Sequence, residues 1–250
     1  MEYVYPAVEV AAVGAIKTMG YNLRVFGKEN IPASGPALLA SNHVGYLDFV
    51  FTGYAALKQG RRVRFLAKKE IWNNKVAGFL MNGMHHIPVD RSKDPQAAYQ
   101  AAHDALVQGE IIGMFPESTI SPSFVPRRGK TGSARLARAA GAPLLPAAVR
   151  GTQRILTKGR PKNLQRKLEI IVNVGAPIPT QESDDVRVLT DELMLQIEIL
   201  LKHAQERYGQ EPADDSDRWW LPAHMGGTAP RPEDVEHKLR GPGKPDPEGI

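Results

Sequence analysis

The decisive stretch runs Pro36-Ala37-Leu38-Leu39-Ala40-Ser41-Asn42-His43-Val44-Gly45-Tyr46-Leu47-Asp48. Its first half, Pro36–Asn42, is a short apolar run between a proline and polar residues, the signature of a buried strand. Its second half turns at Gly45 into Leu47–Gln59, whose apolar spacing predicts a helix that stops at Gly60. A strand feeding a helix across a short polar turn is the opening of a β-α-β unit, and the alternation continues. Further strands are expected at Arg62–Ala67, His86–Val89, Glu110–Phe115, Pro143–Arg150 and Lys167–Val174. Helices are expected at Trp72–Met84, Asp94–Gly109, Thr131–Ala140 and Asp184–Tyr208. In the second of these Asp94 stands as N-cap, Pro95 takes the first helical position and Gly109 marks the stop. The pattern predicts an α/β fold: a central, mostly parallel sheet with helices on both faces.

The chain has 250 residues, 42% of them hydrophobic and 24% charged, with a mean hydropathy of −0.32. These values suit one large domain or two small ones of ordinary soluble composition and exclude a polytopic membrane protein. Three parts are expected: an N-terminal interfacial helical segment over 1–21, the main domain over 22–208, and a Pro/Gly-rich tail over 209–250. The first lacks the charged start and cleavage site of a secretory signal. Its apolar run, Val4–Met19, is interrupted by Pro6, Glu9, Gly14 and Lys17 and falls short of the roughly 20 apolar residues a span needs. Val8, Ala11, Ala12, Ala15 and Met19 share a helix face that either packs on the domain or lies in a lipid headgroup region. The tail holds 7 of 20 prolines and 6 of 23 glycines, and it cannot order by itself; Trp219, Trp220 and Leu221 are its candidates for docking. Net charge is +5, but the tail is acidic, so residues 1–208 carry +9. Such a charge favours phosphates and anionic surfaces.

There is no cysteine, which excludes a disulfide framework, a thiolate metal site and a thiolate nucleophile. His43 and Asp48, five residues apart at the strand-to-helix turn, can form a base–orienter pair in which the carboxylate fixes the imidazole and the other ring nitrogen takes a proton from a hydroxyl. The pair works best with His43 on the turn and Asp48 on the first helical turn. Free N–H groups at that turn could bind an oxyanion. His85 and Asp90 share the spacing, but Pro88 lies between them, so His85 reads as structural or pocket-lining. Three further blocks sit at strand ends: Val89-Asp90-Arg91, Phe115-Pro116-Glu117-Ser118-Thr119-Ile120-Ser121, and Leu144-Leu145-Pro146-Ala147-Ala148-Val149. Neighbouring parallel strands bring such ends to one crevice.

The four blocks, in this order, resemble those of the glycerolipid acyltransferase family, of the lysophosphatidic-acid acyltransferase type: N-H-x-x-x-x-D, a hydrophobic-D-R strand end, F-P-E-G-T-R-S and a proline-bearing strand. The resemblance spans about residues 22–205. It implies that His43 is the general base and Asp48 its orienting partner. It implies that Arg91 holds an acceptor phosphate, that Glu117, Ser118 and Thr119 shape the acceptor site, and that Lys68 and Lys130 add cations there. It implies acyl transfer from acyl-CoA or acyl-carrier protein to a hydroxyl of 1-acylglycerol 3-phosphate in phospholipid biosynthesis, with no metal, no permanently bound cofactor and no acyl-enzyme. Two positions depart from the family pattern: Ser118 replaces glycine and Ile120 replaces arginine. The second keeps glycerol 3-phosphate or a glycolipid open as acceptor, with Arg127, Arg128 or Lys130 as the substitute cation.

The expected partners are the acyl donor, a lysophospholipid acceptor and the anionic phospholipid surface on the cytoplasmic face of the cell membrane. Two basic clusters, Arg61–Lys69 and Arg154–Lys167, are candidates for headgroup or coenzyme A contacts. Aromatic residues are 7% and do not interleave with these cations, which argues against nucleic acid. Trp72, Phe79, Leu80 and Met81 are candidate linings for an acyl tunnel. A thioester hydrolase and a non-catalytic lipid-binding protein are the more distant readings.

Overall fold

The computed structural model describes residues 3–90 and 95–239. In chain order the elements are α1 (Val4–Thr18), β1 (Asn22–Phe26), β2 (Ala37–Ser41), α2 (Asp48–Leu57), β3 (Val63–Lys68), α3 (Lys75–Gly83), β4 (Ile87–Val89), α4 (Pro95–Val107), β5 (Ile111–Met114), α5 (Gly132–Ala139), β6 (Leu144–Arg150), β7 (Glu169–Val174), α6 (Val186–Glu206) and α7 (Pro232–Leu239). The strands form one sheet in the order β1-β7-β6-β2-β5-β3-β4. Every adjacent pair is parallel except β6 and β7. The sheet is therefore mostly parallel, with β1 and β7 reversed relative to the other five.

The sheet is covered on both faces, which explains why β2 is apolar from Ala37 to Ala40. All five of its residues are buried. Ala37 and Leu39 face a cluster with Phe51 of α2, Phe65, Leu145 and Ile170. Leu38 and Ala40 face the opposite cluster, with Ala102 of α4, Leu136 of α5 and Leu193 and Ile197 of α6. Alternate residues thus serve two cores.

Two expectations change. β1 is a strand the sequence did not disclose, because its five residues are half-buried or exposed edge positions rather than an apolar run. The expected helix Trp72–Met84 begins only at Lys75, after a tight 3-10 turn over Lys69–Asn73. Asn74 sets that start by accepting the N–H groups of Val76 and Ala77. The N-cap expected at Asp94 lies outside the described residues. Of the tail's expected docking candidates, Trp220 and Leu221 are buried and Trp219 is half-buried, while most of residues 209–235 are half-buried or exposed. The anchor is Trp220, which is fully buried at the end of a 3-10 turn over Asp215–Trp220 and packs on Tyr208 and Arg154.

Helix α1 is pinned to β3 at its start. The Tyr5 hydroxyl donates to the Val63 carbonyl and accepts the Val63 N–H, and Glu9 pairs with both Arg62 Nε and Nη2. Its other face exposes Tyr3 and Val10. Among the described residues no helix is long and apolar enough to cross a membrane.

The turn leaving β6 places the residues that meet the β2–α2 junction. Gly151 sits there at φ 101°, and a Cβ on it would lie 2.2 Å from the Glu169 carbonyl oxygen. No L side chain fits without moving β7. Gly151→Ala is expected to lower stability by at least about 2 kcal/mol, read as a drop in the urea midpoint.

Candidate active site

Strands β2, β5 and β6 are neighbours and run the same way, so the segments leaving them meet at one edge of the sheet. The β2 exit carries His43, the β5 exit carries Phe115–Ser121, and the β6 exit carries Thr152. The chain holds these three together through hydrogen bonds. The His43 N–H donates to Glu117 Oε1 at 2.9 Å, and the His43 carbonyl accepts the Ser121 N–H at 2.8 Å. The Thr157 hydroxyl donates to the Val44 carbonyl, and the Tyr46 N–H donates to the Leu156 carbonyl. Gly45 is required by close approach, since a Cβ there would meet the Thr152 and Leu156 carbonyl oxygens at 3.1 and 3.0 Å.

Asp48, the first residue of α2, has no exposed surface. Its Oδ2 lies 2.9 Å from His43 Nδ1 and accepts the Val44 and Gly45 N–H groups at 2.7 and 2.9 Å. Its Oδ1 accepts the Thr152 hydroxyl at 2.5 Å. Four donors in a dry site, next to a helix N-terminus, suit an ionised carboxylate. With Nδ1 bonded to Asp48, His43 keeps Nε2 for a reactant. The imidazole stacks on Phe115 with centroids 4.1 Å apart and planes 16° off parallel. The Val44 and Gly45 N–H groups expected to be free for an oxyanion are instead committed to Asp48.

Glu117 is buried, and its second oxygen accepts the Arg127 N–H at 3.0 Å. Burial pushes its carboxyl up to about 8, against the pull of the two N–H donors and of Arg127. It acts as a clamp that ties the β2 exit to the 117–127 loop. Thr152 was not anticipated from sequence. A threonine after a strand carries no motif, and only the β2–β6 pairing brings it to Asp48.

A family model described as Acyltransferase matches residues 22–150. The chain is 32% identical over 167 residues to the 1-acyl-sn-glycerol-3-phosphate acyltransferase of Bacillus subtilis (strain 168), covering 67% of this chain and 79% of that protein. The chain belongs to the acyltransferase family. It is also 29% identical over 143 residues to the chloroplastic 1-acyl-sn-glycerol-3-phosphate acyltransferase LPAT1 of Arabidopsis thaliana, covering 56% of this chain and 39% of that protein. The crystal structure of the 1-acyl-sn-glycerophosphate (LPA) acyltransferase, PlsC, from Thermotoga maritima shares its fold, with a TM-score of 0.67 and 20% identity over 82% of this chain and 81% of that one. It is an O-acyltransferase by these relationships.

The remaining site candidates of this acyltransferase are placed unequally. Ser118 and Thr119 are half-buried in the loop clamped by Glu117. Lys130 is exposed, and its N–H donates to the Pro116 carbonyl just ahead of α5. Lys68 is exposed at the end of β3, and its neighbour Lys69 pairs with Asp90 at 3.1 Å. Arg91 lies outside the described residues. Ile120 is buried, which fits an apolar side chain at the position where the family pattern has arginine.

Other expectations are corrected. Of the basic clusters, Arg61, Arg64 and Arg154 are committed within the protein, while Lys68, Lys158, Arg160, Lys162, Arg166 and Lys167 stay exposed. Arg61 donates to the carbonyls of Pro32, Gly35 and Gly109, Arg64 pairs with Glu110, and Arg154 is buried. His85 is exposed in a turn; His86 is the buried one, and its Nδ1 accepts the Phe65 N–H. The apolar cavity lies between α1, α2 and β3, lined by Val8, Ala12, Phe49, Val50, Gly53 and Phe65. Trp72, Phe79, Leu80 and Met81 do not line it; Trp72 bonds Asn82 and Phe79 is exposed.

Two outcomes follow from this geometry. Thr152→Val removes one of the donors to a buried carboxylate and is expected to lower kcat about tenfold while the protein stays folded, measured by acyl-transfer assay and circular dichroism. Ser118 adopts φ 60°, a conformation that favours glycine. Ser118→Gly is expected to keep activity and to raise stability by up to about 1 kcal/mol in thermal unfolding.

Proposed function

We propose that this enzyme moves a fatty acyl chain from an acyl thioester, acyl-CoA or acyl-carrier protein, onto the free hydroxyl of 1-acylglycerol 3-phosphate in phospholipid biosynthesis. The observation that carries this reading is the 2.9 Å contact between His43 Nδ1 and a buried, fully hydrogen-bonded Asp48. The names of the relatives and the order of the four blocks support the substrate class.

In this mechanism His43 Nε2 takes the proton of the acceptor hydroxyl as its oxygen attacks the thioester carbonyl. Asp48 stabilises the imidazolium that forms. The carbonyl then reforms, the C–S bond breaks, and the thiolate leaves with the proton that His43 had taken. An oxygen ester and a free thiol result, and no enzyme group is acylated. General base catalysis of this kind contributes about 10²–10⁴-fold, and the rest comes from holding donor and acceptor together.

Arg91, Lys68 and Lys130 are the proposed cations for the acceptor phosphate, by charge and by position in the motifs. The cavity under α1 is the proposed acyl site, because Phe65 in its wall stacks on Phe115, which stacks on His43. We further propose peripheral association with the cytoplasmic face of the membrane, supported by exposed Tyr3 and Val10 on α1 and exposed Val76 and Phe79 on α3.

His43→Ala is expected to lower kcat by at least about 10²-fold. Asp48→Asn is expected to do the same and to destabilise, since a neutral amide loses the charge that opposes the imidazolium and, with its oxygen on the Val44 and Gly45 N–H groups, replaces the oxygen that accepts the Thr152 hydroxyl with an NH₂. Radiolabelled acyl transfer at wild-type rates in either variant would refute the assignment. Acceptor identity is read from a panel with palmitoyl- and oleoyl-CoA against 1-acylglycerol 3-phosphate, glycerol 3-phosphate and a mannolipid. Turnover of the first is expected. Turnover only of another acceptor, favoured by the loss of a cation at Ile120, or only of water, would overturn it.

A further inference from the structure

Gln153 follows Thr152 in the 3-10 turn that leaves β6, and it is 2% exposed. A buried side-chain amide needs partners at both of its ends. Its Oε1 accepts the Gly151 N–H at 2.9 Å. Its Nε2 donates to the Trp220 carbonyl at 3.2 Å, from a residue 67 positions away in sequence. Gln153 thus grips the residue before Thr152 with one end and the buried anchor of the tail with the other. Bonds within the turn close it on itself: the Gly151 carbonyl accepts the Arg154 N–H, and the Thr152 carbonyl accepts the Ile155 N–H. The Gln153 amide adds the tie from this turn to residue 220.

The turn matters because of what Thr152 does in it. The Thr152 hydroxyl donates to Asp48 Oδ1 at 2.5 Å, and Asp48 Oδ2 lies 2.9 Å from His43 Nδ1. An unbroken run of bonds therefore leads from the Trp220 carbonyl through Gln153, the Gly151–Thr152 peptide and Asp48 to the imidazole. On its other side the turn abuts the catalytic one, where a Cβ on Gly45 would meet the Thr152 carbonyl at 3.1 Å. We propose that Gln153 is a positioning residue for acyl transfer: it holds the turn so that the Thr152 hydroxyl meets Asp48. Being buried, it acts through Thr152 rather than on a reactant.

This role rests on the His43–Asp48 mechanism proposed above. It extends the machinery to residue 220, beyond the residues 22–150 that the family model matches. An apolar side chain at 153 leaves the Gly151 N–H and the Trp220 carbonyl buried without partners, a cost the turn relieves by shifting. A shift of about 1 Å takes the Thr152–Asp48 contact to the limit of a hydrogen bond.

The test is a double-variant cycle in the full chain, with palmitoyl-CoA and 1-acylglycerol 3-phosphate as substrates and circular dichroism to follow folding. Gln153→Met keeps the length of the side chain and loses both hydrogen-bonding ends. It is expected to lower kcat about fivefold and to leave KM for both substrates within about twofold. Combined with Thr152→Val it is expected to cost nothing further, so the double variant stays about tenfold below wild type, where independent effects would multiply to about fiftyfold. If Gln153→Met does not fold, Gln153→Glu keeps the acceptor for the Gly151 N–H and loses the amide donor to Trp220, and the same non-additivity is expected of it. Wild-type kcat in the Gln153 variant, a loss confined to KM, or fully multiplied losses in the double variant would overturn the proposal. If Thr152→Val is slow in that case, the role of Gln153 alone is lost. Wild-type rates in His43→Ala and Thr152→Val would overturn the mechanism beneath it.

Discussion

One buried carboxylate organises the functional edge of this protein. Asp48 has no contact with solvent, so its charge is tolerable only if the protein supplies the donors that water would have supplied. It receives two backbone N–H groups from the turn before its own helix, the ring nitrogen of His43, and a hydroxyl from a different strand exit. Each donor fixes a piece of backbone. The 43–45 turn must curl back over α2, Gly45 must remain free of a side chain, and the β6 exit must approach through Gly151. The imidazole is held by its nitrogen on one side and by the Phe115 ring on another, so its orientation is fixed before a substrate arrives.

The sheet makes this possible at little cost to the core. β2 has covered faces and parallel neighbours on both sides, β6 and β5. The exits of both neighbours can therefore reach its own, and the two crossings run in opposite directions, β2 past β5 to β3 and β5 past β2 to β6. The crevice at such a switch point is where an open α/β sheet receives ligands. Here the crevice borders an apolar cavity roofed by α1, and the aromatic row His43, Phe115, Phe65 runs between them.

Much of this was legible in the sequence, and the legible parts share a physical reason. Strands buried on both faces are built around continuous apolar runs, so β2, β5, β6 and β7 declared themselves despite Ser41, Arg150, Glu169 and Asn173 within them, as did α6 through its single apolar stripe and its Asp185 cap. The His43–Asp48 contact was legible because a turn between the two residues is local. What was not legible depended on pairings distant in sequence. β1 is a half-exposed edge strand. Thr152 reaches Asp48 across a strand exit. The arginines at 61, 64 and 154 counted among the candidates for headgroup or coenzyme A contacts, yet they have partners within the protein tens of residues away. The cavity walls come from α1 and α2, not from the apolar helix at 75–83, which faces outward at Val76 and Phe79.

The most direct test is a single-turnover experiment with palmitoyl-CoA, followed by intact-mass measurement of the enzyme, with and without 1-acylglycerol 3-phosphate. A base that activates the acceptor and is never itself acylated predicts thiol release only when acceptor is present and an unchanged enzyme mass in both conditions. Thiol release without acceptor, accompanied by an enzyme heavier by one palmitoyl group, would contradict the account.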